Sequence, residues 1–154
     1  MTEDLRLAPP RAEDRAGWAA LWRAYLAFYG TDRDERTVEA AFAQLLSGDP
    51  QAFRGLIAWR GAEPVGLVHW VWHPHMWRPE GIHYLQDLYV APAARGRGTA
   101  RRLIKAVYAA ADAAGASGVY WLTAEDNAPA RRLYDRIAAY NGFIRYDRPA
   151  AGAA

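Results

Sequence analysis

The sequence predicts a single α/β domain, and three observations point to it. Stretches of strand character alternate with stretches of helical spacing along the 154 residues. The length suits one domain, and 52% hydrophobic residues can build its core. No internal repeat or linker-like run interrupts the chain, so the expected domain is 1–149 with a short tail over 150–154.

Residues 5–8 can form a first strand before Pro9 and Pro10 interrupt the backbone ladder. Trp18, Leu21, Trp22, Tyr25 and Tyr29 recur at helical spacing, so 12–29 is expected to be a helix that Gly30 ends. A second helix is expected over 35–46, with Val38, Phe42 and Leu45 on one face. Strands follow over 53–59 and 65–72, joined by a turn at 60–63 as a hairpin. Pro74 and Pro79 bracket an expected loop, and 82–90 is the next strand. After a loop at 91–96, Leu103, Ile104, Val107 and Ala111 mark a helix over 99–114, with Gly115 at its C-terminal cap. A strand over 119–123 and a helix from 127 to about 140 come next. Asn141 and Gly142 stop that helix, and 143–146 is expected as a last strand.

Composition narrows the function. No apolar run approaches the roughly 18 residues of a membrane span, and Glu3 and Asp4 sit where a secretory signal would be apolar. The expected setting is cytoplasmic, with no membrane partner. Without cysteine the protein brings no thiol chemistry and no cysteine metal site. Net charge is +2, too small to imply nucleic acid. The informative charge is local: Arg95, Arg97, Arg101 and Arg102 lie within eight positions that hold no acid, a cluster suited to phosphate.

That cluster surrounds a turn between strand and helix. Gly96 and Gly98 let the backbone come close to a ligand. The helix start offers unpaired N–H groups and a positive dipole end, which together make an anion cradle. A P-loop is excluded because no Gly-Lys-Ser/Thr follows. The dinucleotide fingerprint lacks its third glycine, Arg101 standing there. The hexapeptide Arg95-Gly96-Arg97-Gly98-Thr99-Ala100 does match Arg/Gln-x-x-Gly-x-Gly/Ala. Upstream stands Tyr84-Leu-Gln-Asp-Leu-Tyr-Val90, and downstream Asn127-Ala-Pro-Ala-Arg-Arg-Leu-Tyr134 followed by Gly142-Phe143.

These three ordered motifs resemble those of the GNAT superfamily of N-acetyltransferases, most strongly over 84–146. The resemblance implies a mixed, mostly antiparallel central sheet flanked by about four helices, with acetyl-CoA as co-substrate. It implies that the fourth strand splays from its neighbour, so that backbone groups at Leu88, Tyr89 and Val90 meet the pantetheine and the thioester. Arg95, Gly96, Arg97, Gly98, Thr99 and Ala100 would hold the pyrophosphate, and Asn127 would complete the cofactor side. One departure stands out: Tyr134 to Gly142 is eight residues where ordinary members have about four, roughly one extra helical turn. That spacing is similar to a subgroup containing histone, polyamine and D-amino-acid acetyltransferases, although fold subgroup does not fix substrate.

The chemistry needs a neutral amine. A lysine-type amine has a pKa near 10.4, so only on the order of one in a thousand is neutral at pH 7. The resemblance makes Tyr134 the acid for the leaving thiolate; otherwise it is a core tyrosine on its helix's apolar stripe. Asp87, next to the implied reaction centre, could draw in a cationic amine or take its proton through water; otherwise it is a buried, satisfied carboxylate. Gln86 stands where polyamine acetylases tend to show glutamate, which weakens a polyamine acceptor. Tyr25 and Tyr29 (with Phe28) could line the acceptor mouth, and Trp70 could form a substrate wall. The hairpin aromatics in general suit a core or a homodimer contact better. His73-x-His75 has no evident third ligand, so no metal is expected. Two other readings stand beside the enzyme. One is a non-catalytic acyl-CoA-binding or sensor module, against which Asp87 and Tyr134 speak. The other is a nucleic-acid binder, against which the gathering of charge at one turn speaks.

Overall fold

The structure, a computed structural model, describes residues 4–152. These fall into two compact units, one ending at Leu122 and one beginning at Thr123. The first holds a five-stranded sheet in the order β1-β2-β3-β4-β5: β1 (Leu5–Ala8), β2 (Arg54–Arg60), β3 (Glu63–His75), β4 (Arg78–Val90) and β5 (Val119–Tyr120). The first four strands are antiparallel neighbours, and β5 joins β4 in parallel. With the helices α1 (Arg15–Phe28), α2 (Glu35–Leu46), α3 (Thr99–Ala113) and α4 (Ala128–Ile137), this is the mixed, mostly antiparallel sheet with four helices that the sequence motifs imply. No helix among the described residues is long and apolar enough to cross a membrane.

Strand alternation sorts the first unit into layers. On one sheet face Ile57 and Leu67 pack with Trp18 and Leu21 of α1 and Val38 and Phe42 of α2 into a buried core. Trp18 lies 5.0 Å from Phe42 and 5.2 Å from Trp22, ring to ring. Burying a large apolar side chain of this kind contributes on the order of 1.5–3 kcal/mol. The opposite face receives α3: a Cβ at Gly66 would touch the Leu103 and Thr99 side chains of that helix and would crowd the Tyr89 carbonyl at 2.9 Å. Helix ends are tied locally. Asp34 caps α2 by accepting from the Thr37 N–H at 2.9 Å, and Asp14 takes both the backbone N–H and the guanidinium of Arg11. Arg15 of α1 pairs with Glu35 and Glu39 of α2.

Several expectations need correction. The loop expected between Pro74 and Pro79 is a strand hairpin instead: β3 runs on to His75 and β4 begins at Arg78. Both prolines are tolerated because the pairing is irregular there, with a register shift between His73 and His75. β5 covers only two of the five residues expected over 119–123. In the second unit, α4 ends at Ile137 and Ala138 is already extended, so the eight residues from Tyr134 to Gly142 do not add a full helical turn. Instead the Tyr140 ring meets the Arg131 guanidinium, 5.5 Å from its centroid. The strand expected over 143–146 is not formed. Its alternation has strand propensity, but a strand requires a neighbour's ladder, and none pairs with it.

Candidate active site

The site is built at the point where β4 loses its parallel neighbour. β5 pairs with β4 only at His83 and Tyr84, so from Leu85 to Val90 that edge of β4 runs on with no strand beside it among the described residues. Leu88, Tyr89 and Val90 lie on this stretch. Where β4 ends, a turn over Pro92–Ala94 leads to Gly96 and Gly98, both in the left-handed region at φ 77° and 78°. Gly98 opens α3, and a Cβ added at either glycine would meet nothing within 4 Å. A ligand can therefore approach this backbone closely, at the positive end of a four-turn helix.

The residues around that turn suit a pyrophosphate. Arg97, Arg101 and Arg102 are exposed, and Ala100 is half-buried behind them in the first turn of α3. Thr99 is buried, and its hydroxyl has no hydrogen-bond partner among the described residues, leaving it free to meet a ligand. Arg95 is engaged instead: its Nε donates to the Val90 carbonyl at 2.9 Å and its guanidinium lies over the Tyr89 ring. It braces the loop against the strand. Asn127, in the second unit, caps α4 by accepting from the Ala130 N–H. Tyr134 lies seven residues on in the same helix, two turns beyond that cap.

On the face of β4 that meets α1, Asp87 is 7% exposed and held by side chains rather than by backbone donors. His69 Nδ1 is 2.8 Å from Asp87 Oδ2, and Trp22 Nε1 donates to the same oxygen at 3.2 Å. Tyr25 adds its own interaction with the carboxylate. Burial alone would raise the carboxyl, but the bond from His69, the attraction of that ring's charge when it is protonated, and the bonds from Tyr25 and Trp22 outweigh it, so Asp87 sits below the usual carboxylate range. The negative charge acts outward as well. Burial and Asp87 together raise the Tyr25 hydroxyl far above its ordinary value, and Tyr29 rises for the same two reasons. Tyr25 packs edge-on to Tyr29 at 5.1 Å and to Tyr89 at 6.4 Å, so the carboxylate has an aromatic surround.

Two other sequence candidates stand apart from Asp87. Trp70 lies on the opposite sheet face, buried, with the Arg54 guanidinium over its ring. Gln86 is exposed beside the register shift that separates the Trp70–Leu85 pair from the His69–Asp87 pair. His73 and His75 do not converge: His73 bonds the Pro74 carbonyl and the Tyr120 hydroxyl. Sequence reasoning missed the task of His69, Trp18 and Trp22. The available signal was a histidine and an aspartate on adjacent strands, but the register that joins them is not written locally.

A model of the "Acetyltransferase (GNAT) family" matches residues 18–140. The chain belongs to that family. This acetyltransferase is 31% identical over 138 residues to the D-amino-acid N-acetyltransferase HPA3 of Saccharomyces cerevisiae, covering 88% of this chain and 85% of that one. It is 32% identical over 91 residues to a thialysine N-epsilon-acetyltransferase of Caenorhabditis elegans, covering 59% of this chain and 56% of that one. Among solved structures, AAC(6')-Iy in complex with the bisubstrate analog CoA-S-monomethyl-acetylneamine superposes with a TM-score of 0.83 at 16% identity, over 96% of this chain and 99% of that one. That likeness speaks for the fold. As an enzyme, the protein is an acetyl-CoA-dependent N-acetyltransferase.

Proposed function

We propose that this acetyltransferase moves an acetyl group from acetyl-CoA to the primary amine of a small acceptor by direct attack. The supporting observation is the ionised, buried Asp87 in an aromatic surround, on the strand whose free edge leads into the glycine turn. A carboxylate with a depressed pKa is a strong anchor for an ammonium and a weak proton acceptor. Asp87 therefore draws in and orients the acceptor, and water carries the ammonium proton away. The amine lone pair then forms the new C–N bond at the thioester carbonyl, where backbone donors near Leu88 meet the charge that develops on oxygen. The C–S bond breaks, Tyr134 gives its proton to the sulfur, and the second proton of the amine leaves the new amide nitrogen to restore the Tyr134 hydroxyl through water. Gly96, Gly98, Thr99 and the exposed arginines bind the pyrophosphate, Tyr25 and Tyr29 flank the acceptor, and Asn127 fixes the start of the helix that carries Tyr134.

The relatives' names make amino-acid amines the first acceptors to try, D-amino acids and thialysine-like side chains foremost. The homodimer belongs to the same reading: Met76 and Trp77, 96% and 87% exposed at the tip of the β3–β4 hairpin, give an apolar surface that a second copy would cover. Thiol release from acetyl-CoA with a panel of amino acids, polyamines, aminoglycosides and peptides tests the function. At least one amine should accelerate release well above hydrolysis; no amine-dependent release from any class would remove the reading.

A further inference from the structure

Two tryptophans and a histidine form an unbroken chain of bonds to Asp87. Trp18 Nε1 lies 2.8 Å from His69 Nε2. An indole nitrogen can only donate, so His69 Nε2 must accept. The ring's proton then sits on Nδ1, which donates to Asp87 Oδ2 at 2.8 Å. Trp22 Nε1 reaches the same Oδ2. His69 is 5% exposed and comes from β3; Trp18 and Trp22 come from one face of α1. The titratable groups that face Asp87 are His69 from β3, Tyr25 from α1 and Tyr29 just past the end of that helix.

We propose that His69 is a positioning residue for acceptor binding: locked by Trp18 as the Nδ1–H tautomer, it pins Asp87 through Oδ2 and so orients the carboxylate that meets the acceptor ammonium. This rests on the reading of Asp87 as the acceptor anchor. Two consequences follow from the geometry. A neutral His69 contributes a hydrogen bond without cancelling the carboxylate's charge, so a full negative charge remains for the ammonium. With both ring nitrogens occupied, His69 does not pass a proton onward, so it acts only through Asp87. A bare buried carboxylate would be costly; one fixed by two N–H donors is both stabilised and aimed.

The test uses the whole protein. Ring ¹⁵N chemical shifts should show His69 protonated at Nδ1 and bare at Nε2 at neutral pH, before any acceptor is added. Protonation at Nε2 would overturn the assignment. In the acetyl-transfer assay, His69→Leu should raise the acceptor KM about tenfold, the worth of one hydrogen bond to a charged group. The acetyl-CoA KM should hold within about twofold, since the cradle is untouched. His69→Asn puts an amide N–H near the place of Nδ1, and the acceptor KM should return toward wild type. Melting temperatures of both variants separate folding from positioning. If asparagine and leucine behave alike in folded protein, or if both substrates' KM values rise together, His69 is merely structural and the proposal falls. Asp87→Asn is the control for the underlying reading. An unchanged acceptor KM there removes the anchor and the His69 inference with it, whereas a raised KM there with wild-type kinetics in His69→Leu removes the inference alone.

Discussion

At the scale of single residues, Asp87 and Tyr134 make opposite demands on their surroundings. Asp87 must stay charged, and its donors hold it below the carboxylate range. Asp14 is depressed in the same direction, chiefly by its hydrogen bond from Arg11. Both groups have folded-state values below their unfolded ones. The stability they contribute is therefore complete above about pH 4, near the ordinary aspartate value, and is lost as pH falls through the depressed values. Thermal melts from pH 7 to pH 3 should show a level region and then a decline. Asp14→Asn should melt lower at neutral pH and lose less on acidification; an unchanged acid slope would count against Asp14. As the proposed acid, Tyr134 must instead stay protonated until the thiolate leaves. Tyr134→Phe removes only the hydroxyl, and kcat should fall at least about tenfold, the low side for general acid catalysis because water can substitute. Acetyl-CoA affinity should stay within a few-fold. Wild-type kcat with acetyl transfer shown to be rate-limiting would rule the residue out as the acid.

At the scale of elements, two glycines with positive φ serve different ends. Gly98 opens α3 into empty space, so its requirement is conformational and toward the ligand. Gly98→Asp adds a side chain and a negative charge to an anion cradle, and the acetyl-CoA-induced rise in melting temperature should largely vanish. Equal rises in wild type and variant would put the binding site elsewhere. Gly81, at φ 73° in β4, is packed instead: a Cβ would sit 2.2 Å from Trp72 Nε1. That indole donates to the Glu80 carbonyl at 3.0 Å, so it cannot swing away without losing a bond. Gly81→Ala should destabilise by roughly 1–3 kcal/mol, read from chemical denaturation, with substrate KM values unchanged. No loss of stability would mean that the Trp72 end of the hairpin yields easily.

At the scale of the whole molecule, the hairpin of β3 and β4 is the longest feature and ends in the exposed pair Met76 and Trp77. Exposed apolar side chains of this size, side by side, suit burial between two copies related by a twofold axis. Sedimentation should report a dimer at micromolar concentration, and Met76→Ser with Trp77→Ser should shift it toward monomer. A wild-type monomer would count against the dimer, and an unshifted double variant would move the interface elsewhere.

The elements were largely legible in the sequence because their signals are local. Helical spacing marked α1, α2 and α3, and the order of Gly96, Gly98 and Thr99 marked the turn that opens α3. Tyr134 and Asn127 were readable as parts of one motif. What local signals could not carry was pairing. A hairpin turning at Met76 and Trp77 without irregularity would set His69 opposite Tyr84. Two register shifts move its partner to Asp87. Each one-residue slip turns side chains to the other face, so His69 meets Asp87 only once the sheet has settled its register against α1 and α3. The same reason explains the strand not formed over 143–146. Its residues have the alternation of a strand, but a strand is made by its neighbour's hydrogen bonds, and that is a property of the fold and not of the segment.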